Sequence, residues 1–308
     1  MSTDRLVIAT RGSALALWQA NHVKDRLAAI APEITIELSI IKTSGDQIQD
    51  VRLSEVGGKG LWVKEIEQAL LDNKADLAVH SMKDVPPELA PGLAIAAVSK
   101  REVPWDALCA REPVTLDTLK QGAVVGTSSM RRQCQLLARR PDLKIEMLRG
   151  NVPTRVKKLD DGHYDAIVLA AAGLTRLGMA DRITQELPLE ISIPACAQGI
   201  MGIETRAGDL MVRDLAAQAI HDERANAAWT AERSFLARMG GSCSTPLAAH
   251  TLDHADGIEL VVMCGMPDGT KVLHARGTAP AADAQALGER LGDELLRQGA
   301  RAILDATK

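Results

Sequence analysis

Two α/β modules around one cleft, followed by a small α+β domain, form the fold class this sequence predicts. Three observations carry it. Short apolar runs, each leading through a loop into a helical pattern, recur in two successive series before His221. After His221 that pattern changes, and a hairpin signal appears at Pro267-Asp268-Gly269-Thr270. The length of 308 residues exceeds one ordinary core.

The elements follow in order. Leu6 to Ala9 reads as a buried strand and Ala14 to Ala29 as a helix, while Ile34 to Ile41 alternates as a second strand. Lys64 to Leu71 is predicted helical, and Asp76 to Val79 is a strand leading into His80-Ser81-Met82-Lys83-Asp84-Val85-Pro86. The grammar restarts at Ala123 to Gly126, followed by a helix carrying Arg131 and Arg132. Lys144 to Leu148 and Asp165 to Ala170 are further strands. Such alternation predicts parallel sheets. The apolar stretch Gly199 to Ile203 is expected to cross back and complete the first module. A helix with apolar residues Ala225, Trp229, Leu236 and Met239 then ends at Gly240. Ile258 to Met266 pairs with Lys271 to Gly277, and one amphipathic helix closes the chain from about Ala282 to Ala306. The expected domains are 1–99 with 200–219, then 100–199, then 220–308.

Composition narrows the function. Hydrophobic residues at 46% and charged residues at 25% are those of a globular chain, and no apolar run is long enough to span a bilayer. With four Trp, one Tyr and one Phe, the cores must be aliphatic. Five scattered cysteines lack CxxC spacing, and their odd number leaves at least one unpaired. No zinc or other metal site is expected, and with no leader before the first strand the protein is expected in the cytoplasm. The net charge of −4 and the scarcity of aromatics argue against a nucleic-acid partner. Yet residues 126–155 are strongly basic, carrying Arg131, Arg132, Arg139, Arg140, Lys144, Arg149 and Arg155 against Asp142 and Glu146. A basic stretch is usually a solvated face; this one falls at strand ends, where α/β proteins bind ligands.

Three loops there and at the N-terminus share one chemistry. Thr10 to Ser13, Gly126 to Arg132 and Arg149 to Arg155 each put small or hydroxyl residues at a helix N-terminus, where free N–H groups favour anions. Ordinary capping explains the hydroxyls; it does not explain arginine in all three. Without GxxxxGK[ST] or GxGxxG, carboxylates are the expected anions rather than nucleotide phosphates. Asp84, before Val85-Pro86-Pro87, is a turn former or else the lone acid of an arginine-lined cleft, suited to a cationic group. Residues 47–60 read as a flap or a plain surface loop. Cys243, beyond Gly240-Gly241-Ser242, is a buried thiol or one placed for covalent attachment.

These segments, taken together with Lys59-Gly60-Leu61-Trp62-Val63-Lys64-Glu65, resemble the porphobilinogen deaminase family in order from residue 6 to beyond Pro246. The resemblance implies two lobes like periplasmic solute-binding proteins and a third domain carrying Cys243. It implies a dipyrromethane cofactor on Cys243 through a thioether, with Lys83, Ser129, Arg131, Arg132, Arg155, Gln198 and Gly199 around it. Porphobilinogen, the implied substrate, would be bound by Arg11, Ser13, Lys59, Arg149, Arg155 and Arg176. Asp84 would be catalytic, hydrogen-bonding pyrrole N–H groups and stabilising the cationic azafulvene left by loss of ammonia. Four units would be joined head to tail and hydrolysed off as hydroxymethylbilane by a monomer with no membrane contact. Trp62 stands where the family commonly has phenylalanine, Met130 where leucine is usual, Ser242 where glycine is frequent, and Cys196-Ala197-Gln198 where Val-Gly-Gln is usual. A solute-binding protein would share the lobes but have no use for the cysteine loop.

Overall fold

The computed structural model describes residues 4–47, 62–241 and 245–307. They form two compact units, the first within Met1–Gln49, Gly58–Glu102 and Gly199–Asn226, the second within Val103–Gln198 and Ala227–Lys308.

The first unit is built on one five-stranded sheet. Strand β1 (Arg5–Arg11) passes through helix α1 (Ala14–Ile30) to β2 (Thr35–Ile41), and the short α2 (Ser44–Gln47) follows. Then come α3 (Lys64–Leu71), β3 (Leu77–Ser81) and β4 (Leu93–Val98). β1 alternates between two cores, as a two-sided strand must. Leu6 and Ile8 pack with Val23 and Leu27 of α1, whereas Ala9 packs with Ile66 and Leu70 of α3.

The second unit opens with β5 (Asp106–Ala110), then β6 (Val124–Gly126), α4 (Met130–Arg139), β7 (Lys144–Glu146) and α5 (Val152–Asp160). β8 (Ala166–Ala170), α6 (Ala171–Arg176) and β9 (Gln185–Leu187) complete its first sheet. Here too residues alternate: Leu108 and Val168 join Leu136 of α4, while Ala107, Cys109, Ile167 and Leu169 join Val156 and Leu159 of α5.

The expected return strand is present as β10 (Met201–Arg206), and it lies in the first sheet. Its direction corrects the expectation of parallel sheets. β10 runs antiparallel to β3 and β4, and β5 runs antiparallel to β8 and β9. The two sheets have orders β2-β1-β3-β10-β4 and β7-β6-β8-β5-β9. With β6 matched to β1, β7 to β2, β8 to β3 and β5 to β10, the two orders are the same. In both, three parallel strands are followed by one antiparallel strand and an edge strand. An antiparallel strand begins at the edge where its parallel neighbours end, so its first residues lie among the loops that follow those strands.

After α7 (Leu210–Ile220), helix α8 (Glu223–Met239) leads to the third sheet, β11 (Leu247–His254), β12 (Gly257–Gly265) and β13 (Val272–Ala279), paired antiparallel in sequence order. The hairpin is as expected; β11 was not foreseen. One face of this sheet packs on Phe235 and Met239 of α8 and on Leu287 and Leu291 of α9 (Ala284–Arg297). The other face packs through Ala248, Val261 and Met263 on Cys134 and Ile193. Two sequence expectations need correction here. The buried stripe of α8 is Ala225, Ala228, Ala231, Phe235 and Met239, with Trp229 only half-buried and stacked by Arg233. The closing helix is two helices, because Gly299 (φ +99°) breaks it before α10 (Ala300–Asp305).

Candidate active site

Each anion-type loop of the sequence is a helix N-terminus in the structure. Ser13 caps α1 by accepting from the Ala16 N–H at 3.3 Å, Ser129 caps α4 from Arg132, and Asn151 caps α5 from Thr154 at 3.0 Å. The hydroxyls of Ser13 and Ser129 therefore have a structural task as well as any ligand they meet.

In the first unit, β1 and β3 run parallel and end at one edge, with Ala9 beside Ala78. That edge carries Arg11, Ser13 and the short 3-10 turn Met82–Asp84. The turn is anchored on three sides. The Met82 N–H donates to the Ile200 carbonyl at 3.0 Å, and Ser81 accepts from the Gln19 amide at 2.8 Å. His80 meets Glu204 at 2.9 Å, with both side chains buried. Met82 fills the space over Gly202, where an added Cβ would lie 2.1 Å from its sulfur. Lys83 and Asp84 are thus half-exposed side chains on a fixed backbone. The Arg11 guanidinium lies 4.0 Å over the Trp62 ring, a cation–π contact that holds its plane.

In the second unit, β6, β7 and β8 are parallel and end at one edge. Ser129, Arg131 and Arg132 follow β6, Arg149 and Arg155 follow β7, and Arg176 ends the helix after β8. The Arg155 Nε donates to the Gly150 carbonyl at 2.7 Å. The basic stretch divides along α4: Arg139 and Arg140, at its far end, pair with Asp117 and Asp142 and serve as surface supports.

Arg131 and Arg132 are buried, and both converge on Asp106, the first residue of β5, which is wholly buried. Arg131 Nη1 and Nη2 donate to the two carboxylate oxygens at 2.6 and 3.0 Å, and Arg132 Nε donates to Oδ1 at 2.9 Å. Ser192 donates to Oδ2 at 2.7 Å, and the Gln198 amide donates to Oδ1 at 3.0 Å. Burial alone would push the Asp106 carboxyl up; the guanidiniums outweigh it and hold it far below the usual carboxylate range. Sequence reading passed over this residue. Its only signal is an acid heading an apolar run, Ala107-Leu108-Cys109-Ala110.

Glu232 of α8 was also missed. Wholly buried, it accepts from the Ala197 N–H at 2.5 Å and the Thr251 N–H at 2.8 Å, tying α8 to β11 and to the loop that carries Gln198. Gly199 has a backbone role: at φ +90°, an added Cβ would be 2.5 Å from the Glu102 carbonyl oxygen. Cys243, Lys59 and the 47–60 flap beyond Gln47 lie outside the described residues. Of the other cysteines, Cys109, Cys134 and Cys264 are buried, their thiols pushed up to about 12 by desolvation, so they are poor nucleophiles at neutral pH.

The family model described as "Porphobilinogen deaminase, dipyromethane cofactor binding domain" matches residues 6–214, and "Porphobilinogen deaminase, C-terminal domain" matches residues 227–297. A relative named porphobilinogen deaminase in Thiobacillus denitrificans is 51% identical over 302 residues, 98% of each chain. The chain belongs to the porphobilinogen deaminase family. Its first 214 residues thus contain the family's cofactor-binding domain. Among solved structures, the periplasmic aliphatic sulphonate binding protein SsuA of Escherichia coli aligns over 96% of this chain and 88% of its own, at TM-score 0.44 and 13% identity. The BvgS VFT2 domain of Bordetella pertussis aligns over 74% of this chain and 93% of its own, at TM-score 0.44 and 16% identity. No helix among the described residues is long and apolar enough to cross a membrane.

Proposed function

We propose that this chain joins four porphobilinogen molecules head to tail, releasing one ammonia at each addition, and frees hydroxymethylbilane by hydrolysis. The family assignment, combined with guanidiniums gathered at the strand ends of an α/β scaffold, carries this reading. A dipyrromethane held through Cys243 fits the donor set: its acetate and propionate arms are carboxylates, and capped helix N-termini with planar arginine forks suit carboxylates. Lys83, Ser129, Arg131, Arg132, Arg155, Gln198 and Gly199 would hold it; when bound, it supplies the pyrrole carbon onto which the chain grows. Arg11, Ser13, Lys59, Arg149, Arg155 and Arg176 would take the acid arms of the incoming pyrroles. Asp84 accepts hydrogen bonds from pyrrole N–H groups and stabilises the positive charge that develops as ammonia leaves.

The proposed domains are 1–99 with 200–219, 100–199, and 220–308. The gap between the family matches at 214 and 227, and the change of compact unit between Gln198 and Gly199, support them. The unpaired cysteine supports a cytoplasmic location and the net charge of −4 a small-molecule substrate rather than nucleic acid; the chain is proposed to act as a monomer.

Intact mass tests the reading. The purified protein should exceed its polypeptide mass by two linked pyrrole units, and Cys243→Ser should remove the excess. Asp84→Ala should keep the excess yet lose turnover by about 100-fold or more, equivalent to about 3 kcal/mol of charge stabilisation. A bare mass for the parent protein, or near-normal turnover by Asp84→Ala, would refute the corresponding role.

A further inference from the structure

We infer that Asp106 is the positioning residue of the site: its buried carboxylate fixes the planes of the Arg131 and Arg132 guanidiniums before any ligand arrives. The part played by those arginines toward the cofactor rests on the proposed function; the fixing of their planes does not. Both carboxylate oxygens are used, and every contact comes from a different direction. Arg131 arrives fork-on, Arg132 through Nε and Nη2 (the latter 2.8 Å from Oδ1), Ser192 from the 188–194 segment and Gln198 from the loop before Gly199.

The outer donors are fixed as well. Arg131 Nη1 donates to the Ile193 carbonyl at 2.6 Å, and Arg132 Nη1 donates to the Val168 carbonyl at 2.9 Å. Gln135, one turn along α4, locks the same segment by accepting from the Ile193 N–H at 2.7 Å. Among the described residues this leaves the Arg131 Nε–H, and one N–H of each remaining Nη, free of protein acceptors and fixed in direction. Two cations share one anion, so the buried cluster keeps one net positive charge, the sign a carboxylate-bearing ligand needs. A guanidinium already desolvated and oriented loses little freedom when it binds, which is the benefit of preorganisation.

The topology explains why the acid is Asp106. β5 is the antiparallel strand of its sheet, with Asp106 opposite Ala170, so its first residue enters the edge where the parallel strands finish.

The test uses the full chain in two forms, the parent protein and Cys243→Ser, each with Asp106→Asn and, separately, Ser192→Ala. Exchange of the arginine Nε–H groups is read by 15N-resolved NMR, and cofactor retention by intact mass. The Arg132 Nε–H should be exchange-protected even in Cys243→Ser, and Asp106→Asn should speed its exchange on the order of 10-fold or more. In the parent background Asp106→Asn should carry less of the two-pyrrole mass, and its loaded fraction should turn over roughly 100-fold more slowly, with kcat rather than KM moving. Ser192→Ala, which leaves both charges in place, should shift the same quantities in the same direction by a few-fold; it decides the matter if Asp106→Asn does not fold. An arginine Nε–H protected only when Cys243 is present, or unchanged by both substitutions, overturns the inference. A parent protein of bare mass strikes the cofactor reading instead, and the NMR comparison still judges Asp106.

Discussion

Asp106 and Gly199 act at the scale of single residues through opposite means, one by charge and one by having no side chain. A carboxylate at 0% exposure is tolerated because two guanidiniums, a hydroxyl and an amide satisfy it. Gly199 is tolerated by nothing larger. Its φ of +90° disfavours any L side chain, and the carbonyl in the way belongs to backbone that cannot rotate aside. Gly199→Ala should therefore destabilise the fold by about 1–3 kcal/mol, a shift of several degrees in melting temperature. An unchanged melting temperature with lost cofactor would instead make Gly199 a ligand-contact residue. Residue chemistry was partly legible in the sequence. Arginines in three loops pointed to an anion site, but which of them are internally neutralised depends on a partner that lies 25 or 26 positions away.

Among the elements, α8 has the clearest sequence logic. Its C-terminus is a Schellman motif: the Gly241 N–H donates to the Leu236 carbonyl and the Gly240 N–H to the Ala237 carbonyl, with Gly240 at φ +64°. This stops the helix three residues before Cys243 and sets the direction in which the chain leaves it. Among the described residues nothing lies within 4 Å of a Cβ added at Gly240, so Gly240→Ala is expected to meet the backbone cost, about 1–2 kcal/mol. Denaturant melts should show that loss, and Gly240→Asn should recover part of it because Asn tolerates the left-handed region. A neutral Gly240→Ala would mean that the helix runs on past Met239. The stop was readable because it is local. The buried stripe of the same helix was not, since Ala228 and Ala231 face inward only because β11, β12 and α9 pack there.

For the molecule as a whole, paired carboxylates set the acid limit. Asp106 is held down against its own burial by Arg131 and Arg132, Asp142 by the hydrogen bond from Arg140, and Asp165 by the hydrogen bond from Lys120. A carboxyl whose folded pKa is depressed contributes stability above the unfolded carboxylate range, about 3.9, and loses it as pH falls through the folded value. Melting temperature should stay level from about pH 7 to about pH 5 and fall below about pH 4. Part of that acid sensitivity should vanish in Asp106→Asn. A melting temperature unchanged down to about pH 2 would show that these carboxyls are not depressed.

The sequence by itself determined where helices α1 and α3 begin, which loops carry arginine, where α8 stops, and the family, because capping, periodicity and motif spacing are properties of neighbouring residues. The tertiary structure alone decided that β5 and β10 run antiparallel to the strands beside them, and that β11 completes a third sheet. It also decided that one buried aspartate organises two arginines. Strand direction and charge pairing are fixed by contacts between residues far apart in the chain, and no local pattern encodes those contacts.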